Sequence, residues 1–454
     1  MRILVKNILS IISSVLIFVV LSGNRVVALA QEPSIDLLVS EGESIEQLKE
    51  ELTEVDNKLE FIEIPEINLL RIENPNEKVQ EVIENSDEID FSGKISDKLI
   101  LENNTITEKN VDFPKIFQYS AEEQNIETEL LNRLTWYINT LTQDKKAFEY
   151  SKGKNIKIGL IDSGVDTSHP LISPSLNLEK AKSFVKNDQS IEDSNGHGTM
   201  VAGVISQVSP EAKITPYRVM SAIDGESIWT LQAIIRAVND KQDIINMSLG
   251  TYKYETKKDE RITIEAFKRA ACYAFIKKVL IISSSGNQQL DSDVNYRENK
   301  IMHLPGDIKG VITVSAINKN NQLTNYSNTG TNVQYTAPGG EIIIDENGYL
   351  DARELIYTMY PLTLPNPMKD AGIPDGYTLT YGTSFSSAGV TAVFANYYSY
   401  YLQIMQKKPN SQNAHKFIAY NSTDFGVVGK DSQYGYGLPN LIRAYELISS
   451  NKNH

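Results

Sequence analysis

Apolar residues along this chain follow two habits that alternate from about residue 156 onward. Short runs at 156–162, 214–220, 244–249, 279–284 and 311–316 are mostly apolar, with apolar residues at adjacent as well as alternate positions. Such runs predict strands buried on both faces. Between them, apolar residues recur every three or four positions, which predicts helices over 198–207, 227–239, 263–277 and 384–401. In the second of these, Ile228, Leu231, Ile234, Ile235 and Val238 share one side. Repeated strand–helix units imply an α/β fold: a doubly wound, mostly parallel sheet with helices on both faces. In such a sheet the ligand crevice lies beyond the carboxyl ends of the strands. Residues 341–379 interrupt the pattern with a stretch rich in Pro, Asp and Tyr, read as an inserted surface loop or small subdomain.

The beginning of the chain is patterned differently. Arg2 and Lys6 precede an apolar run over 8–21, and Ala28-Leu29-Ala30 matches a small-x-small cleavage site before Gln31. This predicts an export signal over 1–30. The run is short for a membrane span and no stop-transfer pattern follows, so no stable membrane anchor is expected. The chain closes on polar Ser449 to His454, and a released, extracellular protein is expected. Residues 31–133 hold 27 Asp and Glu against 9 Lys and Arg, although the whole chain has a net charge of −14. The body from Leu134 onward is nearly neutral, so the charge marks a boundary. The acidic block still repeats apolar positions (Leu48, Leu52, Val55, Leu59, then Ile62, Ile64, Ile67, Leu69, Leu70), predicting a helix over 48–59, a strand over 61–70 and a small folded α+β unit. The expected divisions are therefore 1–30, 31–133 and 134–454, the last carrying the 341–379 insertion.

Composition narrows the chemistry. With 41% apolar and 22% charged residues the chain is globular and long enough for a large core. A neutral body without a basic stripe excludes nucleic-acid binding as an expectation. The one cysteine, Cys272, lies in an apolar-rich helical stretch; it forms no intrachain disulfide and is expected to be an inert packed thiol.

Three segments carry reactive groups. Asp162 ends an apolar strand, where a carboxylate needs a partner. His197 stands between Gly196 and Gly198, which allow close backbone approach. Ser384 follows Gly382-Thr383 and opens a helix. Each alone reads as a turn aspartate, a structural turn residue and an N-cap serine. Together, in the order Asp, His, Ser, they match one of the known orders of the hydrolytic triad. None of the five histidines stands at metal-ligand spacing from another near His197. Asn287, after the strand over 279–284, is a candidate side-chain donor for an oxyanion, with the backbone N–H of Ser384 as the second. An ester-hydrolase scaffold with Gly-x-Ser-x-Gly and the order Ser, Asp, His is not matched.

These segments, with Ile245-Asn246-Met247-Ser248-Leu249-Gly250, Thr336-Ala337-Pro338-Gly339 and Tyr434-Gly435-Tyr436-Gly437-Leu438-Pro439-Asn440, resemble the subtilisin-like serine proteases. The resemblance runs from about Asn155 to Leu447. It implies a subtilisin-like fold, a serine endopeptidase acting on peptide or protein substrates, and a cleft in which Ser248, Leu249 and Gly250 pair with extended substrate backbone. It also implies that the acidic block is a propeptide that assists folding and inhibits the cleft until it is cut. No cofactor is required. Family members often bind structural calcium, but no loop here has a ligand pattern regular enough to assign. Two departures stand out: Ala388 where the family usually has proline, and the long interval between Asn287 and Ser384. The layout resembles bacterial peptidases that remove leader peptides from lantibiotic precursors. On that resemblance the propeptide cut falls upstream of Trp136, at a candidate position after Arg133, with a preference for arginine before the scissile bond; Asp291, Asp293 and Asp307 are the carboxylates available to recognise it. A less selective secreted subtilisin is the alternative.

Overall fold

A computed structural model describes residues 33–95, 133–222, 224–344 and 350–451. The expected export signal and residues 96–132, which precede the expected cut after Arg133, lie outside the described residues. The body is built on a seven-stranded sheet. Its strands are β5 (Lys157–Asp162), β6 (Lys182–Ser183), β7 (Lys213–Arg218), β8 (Ile244–Met247), β10 (Leu280–Ser284), β12 (Val311–Ile317) and β13 (Val333–Pro338), in the order β13-β12-β10-β8-β5-β7-β6. Every adjacent pair is parallel. The chain winds from β5 to β7 on one side and from β8 to β13 on the other, so strand order reverses between β5 and β8. The crevice expected of this topology opens there.

The continuous apolar runs have a direct cause: each strand is covered on both sides. Ile158 and Leu160 of β5, with Leu280 and Ile282 of β10, join one core with α4 (His197–Val208) and α8 (Thr383–Met405). Ile161 and Ile281 face the other way, toward α5 (Ser227–Asn239) and α6 (Lys258–Ile276). Every residue of α8 from Thr383 to Tyr400 is buried, so Ser384 is held on a helix that runs through the core. Ala388 lies fully buried inside this unbroken helix, so alanine here does not interrupt it.

The acidic segment folds as a separate sheet, order β2-β3-β1-β4, all antiparallel: β1 (Ser34–Val39), β2 (Glu60–Ile64), β3 (Leu69–Glu73) and β4 (Ile89–Gly93). α1 (Ile45–Val55) and α2 (Glu77–Asn85) cover one face. Leu38, Ile64, Ile67 and Leu69 join the core beneath α5 and α6. Arg269 of α6 donates to the carbonyls of Val39 and Ile67 at 2.7 and 3.2 Å and pairs with Asp90 at 2.6 Å. Inside the unit, Arg71 grips Asp36 with two bonds of 2.7 and 2.9 Å, both side chains buried.

Three expectations need correction, and the 341–379 stretch takes the second form expected for it, a small subdomain. The strand expected over 61–70 is two strands, because Pro65 opens a 3₁₀ turn and Asn68 is left-handed at φ 51. The helix expected over 48–59 begins at Ile45, capped by Ser44, and stops at Val55. Cys272 is exposed, not packed: it projects from α6 between the buried Ala271 and Ala274. The 341–379 stretch contains a hairpin of β14 (Ile356–Met359) and β15 (Tyr377–Thr380), which the sequence pattern did not reveal. Leu350, Leu355, Tyr357, Met368, Ile373 and Leu379 form its own small core with Leu134, just ahead of α3 (Trp136–Thr142).

Candidate active site

Asp162 is the last residue of β5, and His197 is the first of α4. Both are buried, at 1% and 2% exposure. The Asp162 Oδ1 and His197 Nδ1 are 2.7 Å apart, and the Ser163 N–H donates to the same oxygen at 2.8 Å. With Nδ1–H donating to a carboxylate, Nε2 is left as the basic nitrogen. The glycines flanking His197 serve close approach. A Cβ on Gly198 would lie 2.1 Å from the Gly164 carbonyl oxygen, and Gly196 has φ +104 with Tyr360 of the insertion packed on it.

Asp193 organises this turn, and sequence reading missed it. Fully buried, it accepts from Ser163 Oγ, the Asn195 and Gly196 N–H groups, and both the N–H and hydroxyl of Thr199, all within 3.0 Å. Its sequence signal is an Asp-Ser-Asn-Gly turn directly before a helix.

Ser384 is the second residue of α8, 6% exposed, and its hydroxyl donates to the Ser248 carbonyl at 3.1 Å. The neighbouring Phe385 ring lies 6.0 Å from the His197 ring, which brings the start of α8 alongside the imidazole. Ser248 returns a bond from its own hydroxyl to the Ser384 carbonyl at 2.9 Å. The N–H groups of the first helical turn have no intrahelical acceptor, so the Ser384 N–H is a donor aimed out of the helix end.

Asn287 follows β10 and is oriented by Thr383. Its Oδ1 accepts the Thr383 N–H at 2.9 Å and hydroxyl at 2.8 Å. Holding the carbonyl end this way turns the NH₂ end away from the helix. Thr383 Oγ1 also accepts the Gly286 N–H at 3.2 Å. Behind this loop stands Asn328, a second residue missed from sequence. Its Oδ1 accepts the Gln288 and Leu290 N–H groups, and its Nδ2 donates to Ser285 O and Tyr252 Oη, all within 3.1 Å. Only a fold that brings residue 328 beside 285–290 could disclose this.

A pocket opens beside Ser384. Ser248, Leu249 and Gly250 form one wall, Ser284, Gly286 and Asn287 another, with Tyr252 and His303 completing it. None of Asp291, Asp293 and Asp307 lines it. Asp291 caps α7 (Ser292–Asn299) through the Asp293 and Val294 N–H groups. Asp293 accepts from the N–H and hydroxyl of Thr331. Asp307 is half-buried against the His303 N–H and the Asn332 amide, and loss of solvation there pushes its carboxyl up to about 6. Among the described residues, no group of three or more His, Cys, Asp or Glu is gathered so as to hold a metal ion.

A twisted parallel sheet carrying Asp, His and Ser at its carboxyl edge is the architecture of a subtilisin-like serine peptidase. Residues 153–437 match the subtilase family of peptidases, and the chain belongs to that family. It is 27% identical to the epidermin leader peptide-processing serine protease EpiP of Staphylococcus epidermidis, over 70% of this chain and 74% of that protein. It is 32% identical to a lanthipeptide protease of known crystal structure, covering 70% of this chain and 96% of that one at a TM-score of 0.66. The crystal structure of EpiP from Staphylococcus aureus shares the fold over 92% of this chain and 99% of that one, at 21% identity and a TM-score of 0.71.

Proposed function

We propose that this subtilase is a secreted endopeptidase that removes the leader peptide from a lanthipeptide precursor. The carrying observation is the buried 2.7 Å pair of Asp162 and His197 set against the helix end that bears Ser384. In this reading Asp162 holds His197 in one tautomer and stabilises its cation. His197 takes the proton of Ser384 as the hydroxyl oxygen attacks the carbonyl carbon, then gives it to the leaving amine. The amide of Asn287 and the N–H of Ser384 bind the oxyanion. Ser248, Leu249 and Gly250 take the substrate backbone as an added strand. Residues 31–133 act as the inhibitory propeptide, docked through Arg269.

The leader-peptidase assignment is supported by the likeness to leader-processing and lanthipeptide proteases over most of the chain. The expected preference for arginine rested on a cut after Arg133, and the three carboxylates named for it are bonded elsewhere. A fluorophosphonate probe and a precursor peptide followed by mass spectrometry test the proposal. Labelling that disappears in Ser384→Ala, together with cleavage at the leader junction, is the expected result. Labelling with indiscriminate cutting throughout the precursor would instead favour a general secreted subtilisin, and no labelling of the processed enzyme would end the reading.

A further inference from the structure

The pocket beside Ser384 contains a side chain that peptide hydrolysis does not use. His303 belongs to β11 (Ile301–Leu304) and is 4% exposed. β11 pairs antiparallel with β9 (Thr251–Tyr254), which sets His303 opposite Tyr252. That register carries the imidazole to the wall formed by Ser248, Leu249 and Gly250. The ring occupies the space a side chain at 250 would take: a Cβ there would lie 2.2 Å from Nε2. The Tyr252 ring packs on the imidazole with centroids 4.9 Å apart. Nδ1 is buried without a hydrogen-bond partner among the described residues. Burial pushes the group down to about 4, so the pocket presents a neutral imidazole near neutral pH.

Among the described residues, the lining contains no carboxylate. A guanidinium or ammonium group entering the pocket would be dehydrated without a counter-charge. A large apolar side chain would cover the ring and leave its nitrogens unsatisfied. A carboxylate would meet an imidazole N–H and favour its protonation, forming a charge-assisted bond. Asp307 does not compete for the ring, because its oxygens hold the His303 backbone N–H at 2.6 Å and the Asn332 amide at 2.7 Å.

We infer that His303 determines specificity in this pocket and that the enzyme cuts after an acidic side chain, glutamate or aspartate. The inference rests on the peptidase reading above.

The test uses mature enzyme and fluorogenic peptides that differ only in the residue before the cut: Glu, Asp, Gln, Ala, Phe or Arg. Glutamate should exceed its neutral isostere Gln by about tenfold in kcat/KM, as a charge-assisted bond exceeds a neutral one. It should exceed Arg by about a hundredfold, given the uncompensated charge. In His303→Ala and His303→Gln, with folding checked by thermal unfolding, the Glu-to-Gln ratio should fall to near unity. An enzyme that prefers Arg overturns the inference, as does one that prefers Ala over every charged residue or one whose Glu-to-Gln ratio survives both substitutions. The wild-type panel decides the preference even if neither variant folds. If Ser384 labels with a fluorophosphonate but no acidic peptide is cut, this inference alone falls; if nothing labels and nothing is cut, the peptidase reading falls with it.

Discussion

Replacing Gly198 with alanine measures how tightly His197, the proposed base, must be held. The new Cβ would sit 2.1 Å from the Gly164 carbonyl oxygen and 3.2 Å from the Gly164 carbonyl carbon and nitrogen. This neighbour is backbone, and it has no room to retreat, because the Cα of Gly164 (φ +104) itself faces the carbonyls of Ile191 and Glu192. The first turn of α4 must therefore shift by roughly 1 Å, carrying His197 away from Asp162; a displacement of that size costs about 10²-fold in rate. The overpacking itself should cost about 1–3 kcal/mol of stability. The assay is kcat and KM on a fluorogenic peptide, with active sites titrated by a fluorophosphonate and stability followed by heat. The expected outcome is a kcat about 10²-fold lower with KM little changed. Gly389→Ala is the control: its Cβ would meet only the tip of Leu141 at 2.7 Å, a methyl that can swing aside, and alanine favours the helix by up to about 1 kcal/mol. Wild-type kcat and an unchanged unfolding temperature in Gly198→Ala would refute the reasoning.

On the proposed oxyanion role, Asn287→Ala should lower turnover by about 10²–10³ with little effect on KM, the loss known for the oxyanion-hole asparagine of subtilisin, checked by the same kinetics. Arg269→Ala removes two carbonyl bonds and the Asp90 pair, so the excised 31–133 segment should inhibit the mature enzyme about tenfold less tightly, read as a Ki. Asp307 and His303 should give opposite pH dependences of stability. With Asp307 raised to about 6, the folded state holds a proton that the unfolded chain has lost, so its contribution is full below about pH 4 and disappears as pH rises through 6. With His303 lowered to about 4, its contribution is full above about pH 6.5 and disappears as pH falls toward 4. The slopes offset in the wild type; Asp307→Asn should expose a stability that rises with pH between about 4 and 6.5, and His303→Gln one that falls between about 4 and 6, each by up to about 1.4 kcal/mol per pH unit in denaturant titrations.

The sequence by itself determined five of the seven strands of the main sheet and the reactive segments, while β6 and β13 emerged only in the fold. Strands buried on both faces carry apolar residues on both, so β5, β7, β8, β10 and β12 announced themselves locally as mostly apolar runs, as did the helices between them. Asp162, His197, Asn287 and Ser384 were visible because each stands where such an element begins or ends. What the tertiary structure decided are relations between distant residues of ordinary local appearance. Thr383 orients Asn287 across 96 positions, and Asn328 anchors the same loop from 40 positions beyond Gln288. Asp193 looks like any turn aspartate until five donors surround it. Cys272 lies in an apolar-rich helix, yet helical rotation leaves it outside, because one residue turns the side chain by about 100°. The fate of Asp291, Asp293 and Asp307 likewise depended on which partners the fold brought to them. All three acids could be read from the chain, but only the pairing of β9 with β11 put an imidazole, and no carboxylate, in the pocket beside the serine.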